Sequence, residues 1–283
     1  MTQSVSFFRK VNFGVRHALL RCITVAASFA AAGAMAASFE IAASPSRFEL
    51  SAKSSNRIGQ TLDIHNVGNS ATEVSVRTLD WTYSVDGAVN FVDELLPGSC
   101  RPWVTLERKI VKVSARSKAA FRFEIQVPPD AAKGECRFML TIEGVEPAFK
   151  AQVEGGNASL SLPVTGRLAI AVYVGINGAE PKLDLVQLAL QTIRGKRIPI
   201  VTVVNKGDAH GRLEGSLEAV DSKGQKFELV PDGSPIMPGQ TRDLPLVVKT
   251  DSGKADVEVN YPIKSAGTLD WELGSFKVNA EFK

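Results

Sequence analysis

Histidine and cysteine are scarce in this chain, with three of each among 283 residues. Only His65 and His210 lie beyond the first 36 residues, and neither is near a Cys in sequence, as a zinc site would require. So few histidines argue against a Ser-His-Asp triad. G-x-S-x-G, H-E-x-x-H, Cys-x-x-Cys and glycine-rich phosphate-loop motifs are also absent. We therefore expect a protein that is not an enzyme and has no metal and no cofactor.

The chain also lacks an apolar run suited to crossing a bilayer. Its longest such stretch, Cys22 to Ala37 (CITVAASFAAAGAMAA), is short and rich in Ala for a transmembrane helix. Four basic residues and no acidic one precede it: Arg9, Lys10, Arg16 and Arg21. With the small-residue triplet Ala34-Met35-Ala36, these are the parts of a secretory signal. We predict a signal peptide over residues 1–36, cleavage before Ala37, no transmembrane segment in the mature chain, and a periplasmic product.

The formal net charge of +3 belongs to this signal. Cleavage leaves about 247 residues. The 33 Lys and Arg less the four in the signal leave 29, against 30 Asp and Glu, so the mature charge is −1. A mature chain with no excess of positive charge lacks the basic surface that nucleic-acid binding requires. We therefore expect no nucleic-acid partner.

Two cysteines remain after cleavage, because Cys22 leaves with the signal. Cys100 and Cys136 form an even number in an oxidising compartment, which favours one structural disulfide.

Apolar and polar residues alternate with a period of two along almost the whole mature chain. The alternation predicts strands at Arg47–Ala52, Gln60–Asn66, Glu73–Trp81, Ala119–Val127, Glu135–Glu143, Ser159–Val174, Lys182–Leu190, Ile198–Asn205, Gly211–Val220, Asp243–Lys249, Ala255–Tyr261 and Leu273–Phe282. Many short strands separated by turn formers predict an all-β fold. With about seven strands in each half, they predict two tandem immunoglobulin-like β-sandwich domains, residues 37–175 and 176–283.

The two halves share a turn pattern. Asn66-Val67-Gly68-Asn69 closes an early strand of the first half, and Asn205-Lys206-Gly207-Asp208 closes an early strand of the second. Hairpins in general favour Asn and Gly. The matching position in each half nevertheless indicates a duplication.

The stretch Ser159–Val174 is the longest predicted strand. Its even positions are apolar except for Gly166, and it far exceeds the usual five or six residues of a strand. One interpretation is that the even face is core and the far end belongs to an interface with the second domain. The other is that part of the apolar row lies at a sheet edge and pairs with a strand of another protein. Pro163 fits an edge strand.

Two arginines are candidate anion ligands. Arg47 shares a strand face with Glu49, while Phe48 and Leu50 share the other face. Arg47 is either a solvated side chain or the ligand of a partner's carboxylate at the cleft between the domains, where its planar fork binds two oxygens. Arg167, on the long strand, has the same two interpretations.

The chain resembles the PapD-like family of periplasmic pilus chaperones. The resemblance lies in Ser46-Arg47-Phe48 of the first strand, in the segments Thr61–Asn66, Val76–Trp81 and Val104–Phe123, and in Val172-Tyr173-Val174 at the end of the long strand. It implies that Arg47 anchors the C-terminal carboxylate of a fibre subunit. It also implies that Leu160, Leu162 and Val164 form a donor row that completes the subunit.

The sequence departs from the family at two points. The second basic residue of the family is a Lys, whereas the only basic residue of this long strand is Arg167. The Cys100–Cys136 pair is a further departure, and it points to a divergent branch that serves a non-standard pilus or a spore-coat-like fibre.

The resulting hypothesis is a chaperone that binds and caps pilus or fibre subunits by strand donation and passes them to an outer-membrane usher. The alternative is a structural or adhesive module, without chaperone activity, that binds a surface protein or glycan.

The tryptophans bear on the glycan alternative. They lie in or beside apolar strand patterns, which favours core positions over a carbohydrate platform: Trp81, Trp103 and Trp271.

Overall fold

The computed structural model describes residues 39–83, 88–145, 149–155, 158–164, 166–249 and 258–283. The predicted signal peptide, residues 1–36, and its cleavage point before Ala37 lie outside these ranges. The described chain forms strands and a short 3-10 helix at Arg101–Trp103, so the predicted all-β fold is confirmed. Among the described residues there is no helix that is long and apolar enough to cross a membrane.

The strands form two groups along the chain. The first group contains β1 (Ile41–Ser44), β2 (Arg47–Ala52), β3 (Arg57–Asn66), β4 (Thr72–Tyr83), β5 (Val89–Val92), β6 (Val104–Leu106), β7 (Ile110–Val113), β8 (Ser117–Gln126), β9 (Gly134–Gly144), β10 (Phe149–Gly155), β11 (Ala158–Val164) and β12 (Arg167–Ile176). The second contains β13 (Leu183–Ile193), β14 (Lys196–Asn205), β15 (Glu214–Val220), β16 (Lys226–Pro231), β17 (Thr241–Lys249), β18 (Ile263–Trp271) and β19 (Gly274–Phe282). The domain boundary predicted at residues 175/176 falls at the end of β12.

Two sheets of the first group pack face to face. One has the order β1-β3-β8-β6, and the other has the order β2-β12-β9-β4-β5 with β7 beside β4. The β2–β12 pair is parallel. Inward side chains of both sheets interdigitate as in an aligned sandwich: Phe123 of β8 lies edge-on to Phe48 of β2 and to Phe138 of β9, with ring centroids 5.2 and 6.2 Å apart.

The second group is one chain of hydrogen-bonded strands in the order β13-β14-β17-β16-β15-β18-β19. β17 joins its two layers, because Thr241–Pro245 pair with β14 and Leu246–Lys249 pair with β16. Buried side chains of all seven strands meet in one core, including Val203 of β14, Leu217 of β15 and Phe282 of β19. The layers therefore form a sandwich with a shared strand.

A disulfide joins Cys100 to Cys136, with Cα atoms 5.4 Å apart. It links the loop before the 3-10 helix to β9, where Arg137 donates its main-chain N–H to the Gly98 carbonyl at 3.0 Å. Both sulfurs belong to buried residues of the first core. In the chain-entropy model, closing a loop of this length stabilises the fold by about 3–4 kcal/mol.

The repeated turns have the same hydrogen bonds in both halves. The side-chain amide of Asn66 donates to the carbonyls of Ser70 and Val113 at 2.8 and 3.2 Å, and its Oδ1 accepts from the Gly68 N–H. Asn205 repeats this arrangement: its side-chain amide donates to the Ala209 and Ile236 carbonyls, and its Oδ1 accepts from the Gly207 N–H. A buried Asn is thus fully satisfied at matching positions, and each holds one end of its sandwich together.

The single long strand predicted over Ser159–Val174 is wrong. β11 ends at Val164 and pairs with β10, whereas β12 begins at Arg167 and belongs to the sandwich sheet. Gly166 lies between them, and the ring of Phe39 packs so closely there that a side chain at this position would collide with it. The alternation of apolar and polar residues continues across this point, although β11 and β12 belong to different sheets. Gly166 is the sequence signal of the break, since a glycine within a strand pattern often marks a bend or a close approach of another group.

The predicted strand Ala255–Tyr261 is also wrong for its described part, since residues 258–261 are not in a strand. Asn260 instead binds Asp221 through its main-chain and side-chain N–H groups, at 3.2 and 3.1 Å. This segment therefore braces the β15–β16 turn. The strand that follows, β18, went unpredicted because its small and polar residues hide the alternation.

Candidate functional site

Arg47 lies on the outward face of the first sandwich. β2 runs parallel to β12 with Arg47 opposite Ala171 and Phe48 opposite Val172. Phe48 is buried in the core, so Arg47 and Glu49 face outward, as their alternation predicts. The Arg47 Nε donates to the Glu49 Oε1 at 2.7 Å, and both side chains are about half exposed, at 49% and 43%.

The second sandwich reaches the same carboxylate. Arg212 Nε lies 3.6 Å from the Glu49 Oε1, and His210 Nε2 lies 3.8 Å from it. Both side chains come from the segment between β14 and β15. Three nitrogen-bearing side chains thus surround one carboxylate at the junction of the two sandwiches.

The repeated Asn turn positions this segment. The side-chain amide of Asn205 donates to the carbonyls of Ala209 and Ile236, each at 2.8 Å. Gly211 and Ile236 then exchange two main-chain hydrogen bonds, at 3.1 and 2.8 Å. The backbone on both sides of His210 is therefore fixed by the second sandwich.

His210 is held against the first sandwich by Glu135 of β9. Glu135 Oε2 lies 2.6 Å from His210 Nδ1 and accepts the His210 main-chain N–H at 3.1 Å. The imidazole stacks on the Tyr173 ring with centroids 4.0 Å apart. Burial raises the pKa of the Tyr173 hydroxyl, and the nearby Tyr83 raises it further, so Tyr173 stays uncharged. These contacts fix the second sandwich against β9 and β12.

Three polar atoms at this junction are buried without a hydrogen-bond partner in the described part of the chain. They are Glu135 Oε1, His210 Nε2 and Arg212 Nε. Buried polar groups normally find partners, and an unmade hydrogen bond is costly. Two of these atoms, Arg212 Nε and His210 Nε2, are the ones that face the Glu49 Oε1 at 3.6 and 3.8 Å.

An apolar cluster adjoins the charged groups on the same outward face. It consists of Leu79, Trp81, Met139, Tyr173 and Met237, the last from the second sandwich. Trp81 is fully buried there, edge-on to Tyr173 with centroids 5.7 Å apart. The other two tryptophans are partly buried against the main cores: Trp103 on the first and Trp271 on the second.

Arg167 lies elsewhere on this face. Its Nε is 2.8 Å from the Glu143 Oε1, and its guanidinium lies 5.3 Å from the centroid of the Phe91 ring. Ala171, which is opposite Arg47, is four residues further along β12, a distance of about 13 Å along a strand. The structure therefore brings Arg212, and not Arg167, to the carboxylate that Arg47 contacts.

Leu160, Leu162 and Val164 occupy alternate positions of β11. Their partners on the antiparallel strand β10 are Val153, Ala151 and Phe149. Within the described ranges β11 pairs with β10 alone. One hydrogen-bonding edge of β11 is therefore without a partner strand in the described part of the chain.

No signal in the sequence would have found His210, Arg212 or Glu135. The first two follow Asn205 by only a few residues, but they lie far along the chain from Arg47, and only the packing of two sandwiches brings them together. Within the described residues no three His, Cys, Asp or Glu side chains cluster in a way that could hold a metal ion.

No protein-family model and no curated protein matches the chain, whereas solved structures do. The YadV chaperone is 14% identical, covering 86% of this chain and 99% of its own, with a TM-score of 0.45. The CupB2 chaperone of Pseudomonas aeruginosa is 12% identical, covering 86% and 100%, with a TM-score of 0.44. A Salmonella enterica structure of the SafA pilin with the SafB chaperone matches at 12% identity, 86% and 97% coverage and a TM-score of 0.44. These solved structures are thus similar to the chain over most of their length, at low sequence identity.

Proposed function

We propose that this chain is a non-enzymatic periplasmic chaperone that binds pilus or fibre subunits and covers them by donating strand β11. The observation that supports the proposal most is that the β10–β11 hairpin forms a two-stranded sheet of its own. In the described part of the chain β11 belongs to neither sandwich sheet and has one unpaired edge. An unpaired strand edge is the surface on which a second chain adds by β-augmentation.

The position of Arg47 supports the same proposal. β2 pairs with β12 only from Ala171 onward, so Arg167–Ile170 have no strand partner on the β2 side in the described chain. A subunit strand whose terminal carboxylate meets Arg47 would run along this open edge and continue beside β11. Main-chain hydrogen bonds would provide affinity, and the row Leu160, Leu162 and Val164 would fill the subunit's open groove.

The proposal needs export, which the predicted signal peptide would provide, and it needs no cofactor. An outer-membrane usher would receive the subunit after capture. Arg167 has its own partners in Glu143 and Phe91, so it would support the start of β12 without contacting the carboxylate.

Co-expression tests this function. The chain is produced in the periplasm together with each pilin-like subunit encoded near its gene. We expect a soluble one-to-one complex by size exclusion and native mass spectrometry, and an aggregated subunit when the chain is omitted. The matched control replaces residues 149–164 with a Gly-Ser linker, which leaves both sandwich sheets in place. A subunit that aggregates regardless of the chain would contradict the proposal and favour the surface module that binds a folded protein or glycan.

A further inference from the structure

The second sandwich carries a group of basic side chains at the end that lies away from the first sandwich. β14 runs from this end, at Lys196, to the junction, at Asn205, and a strand of this length spans about 30 Å. The β13–β14 turn, the β15–β16 turn and the start of β18 place exposed cations there, which together are called the basic end: Arg194, Lys196, Arg197, Lys223, Lys226 and Lys264. Their surplus does not show in the overall charge of the mature chain, which is near neutral.

The segment before β18 holds the two turns beside each other. Asn260 donates its main-chain and side-chain N–H groups to Asp221 of the β15–β16 turn, and its carbonyl accepts from the Ser222 N–H at 3.0 Å. The next residue, Tyr261, donates its hydroxyl to the Arg197 carbonyl at 2.7 Å. The Arg197 guanidinium lies 4.3 Å from the centroid of the Tyr261 ring. The cations of both turns are therefore fixed at one end of the sandwich.

The sheet adds two lysines in one row. Lys226 and Lys264 pair with Val220 from either side. Residues that are paired across a sheet share a face, and neighbouring strands lie about 4.8 Å apart, so the two lysines flank Val220 at about 10 Å from each other. Val220 is 38% exposed. An exposed apolar residue between two lysines suits the boundary between lipid head groups and acyl chains.

The acidic side chains in the described part of this end do not neutralise the cations. Asp221 is buried, and main-chain N–H groups of its own turn donate to it. Glu218 and Glu258 are exposed, and the six cations outnumber these three acids by two to one. Two further acids pair with lysines outside the group: Glu228 with Lys249 and Glu281 with Lys283. No carboxylate of the described residues forms an ion pair with five of the cations: Arg194, Arg197, Lys223, Lys226 and Lys264.

The β13–β14 turn carries an arginine where the backbone favours another residue. Arg194 and Gly195 both have positive φ, 50° and 77°, as in a two-residue hairpin turn that favours Asn-Gly. Positive φ is unfavourable for a residue with a long side chain. Arg194 is exposed, so packing in the core does not compensate. Its charge therefore explains this residue better than the fold does.

We propose that the basic end docks on a membrane surface that carries anionic lipid head groups. Charge complementarity selects this partner, because Lys and Arg side chains are attracted to an anionic bilayer surface. Cations that come from separate turns at one end of a sandwich can meet a flat surface together. Docking through this end leaves Arg47 and strand β11 free, since the junction is about 30 Å away. The inference goes beyond the proposed function, because it concerns where the chain is held.

Vesicle co-sedimentation of the free chain tests the inference. The probe is a vesicle of equal parts phosphatidylglycerol and phosphatidylcholine, and vesicles of phosphatidylcholine alone are the reference. We expect binding to the anionic vesicles alone, and release at high salt because salt screens the attraction. The test variant combines Arg194→Asn, Lys223→Gln and Lys226→Gln. Each cation contributes about fivefold to the affinity, so this variant should bind about a hundredfold more weakly, and the Arg194→Asn change suits the turn.

The matched control removes three exposed cations of the first sandwich that also lack an acidic partner in the described chain: Lys53→Gln, Lys109→Gln and Arg122→Gln. It should bind like wild type, and thermal melting verifies that both variants are folded. Wild-type binding by the test variant, or an equal loss in the control, would overturn the inference.

A wild-type chain that binds no anionic vesicle would overturn the inference as well. Binding to polyglutamate in that case would assign the basic end to an acidic protein. These measurements use the free chain, so they leave the chaperone function to its own test of subunit capture.

Discussion

The substitution Leu162→Glu is expected to abolish subunit capture while the free protein stays folded and soluble. In the described chain β11 pairs with β10 alone, so Leu162→Glu should not break a sandwich core. In the complex the same side chain would enter the subunit's apolar groove, where an unpaired charge costs several kcal/mol. Thermal melting of the free variant and co-elution with the subunit measure the two effects.

Ser161→Glu is the matched control for this change. Successive residues of a strand face opposite sides, so position 161 lies on the other face of β11 and should tolerate a charge with capture retained. A steep fall in the melting temperature of free Leu162→Glu would assign the position to a core, and unchanged capture by that variant would exclude strand donation.

Loss of the Arg47 side chain is expected to weaken subunit binding strongly with little effect on folding. Arg47 is half exposed on the outward face of β2, and truncating an exposed side chain changes stability by about 0.5 kcal/mol or less. Removing a partner of a carboxylate in a partly desolvated cleft costs about 2–5 kcal/mol of affinity, a factor of tens to thousands. Isothermal titration of Arg47→Ala with the captured subunit checks this.

Two further variants sharpen the test. Arg47→Lys should restore only part of the affinity, because the planar fork of the guanidinium is lost. Arg57→Ala removes an exposed arginine that pairs with Glu124 on β3–β8, and it should bind like wild type. Subunit binding by Arg47→Ala at wild-type affinity would exclude the carboxylate anchor.

The period-two alternation predicts most of the strands, because a sheet with one buried face imposes that alternation on each of its strands. It places Phe48 in the core and Arg47 outside, and the two Asn-x-Gly turns mark equivalent corners of the two sandwiches. Alternation cannot show which sheet a strand joins. Ser159–Val174 alternates throughout, yet the chain changes sheets around Gly166, where the Phe39 ring approaches the backbone.

The candidate site is less visible in the sequence. Arg47 is recognisable from its strand and its neighbours, whereas His210 and Arg212 approach it only through the packing of the second sandwich. Their place depends on a buried Asn205 amide and on the Glu135 carboxylate, which are tertiary contacts with no local pattern. Arg167 is the more obvious candidate on the long strand, but Glu143 and Phe91 hold it elsewhere.

Amide hydrogen exchange of the free chain and of its complex with a subunit tests the central claim most directly. In an antiparallel ladder alternate residues of β11 bond to β10, which leaves the remaining amides of Ala158–Val164 for a partner strand. We expect these alternate amides to exchange fast in the free chain and to become protected in the complex, together with those amides of Arg167–Ile170 that do not bond to β9. A stable complex in which β11 exchanges as fast as in the free protein, with protection confined to other surfaces, would contradict strand donation.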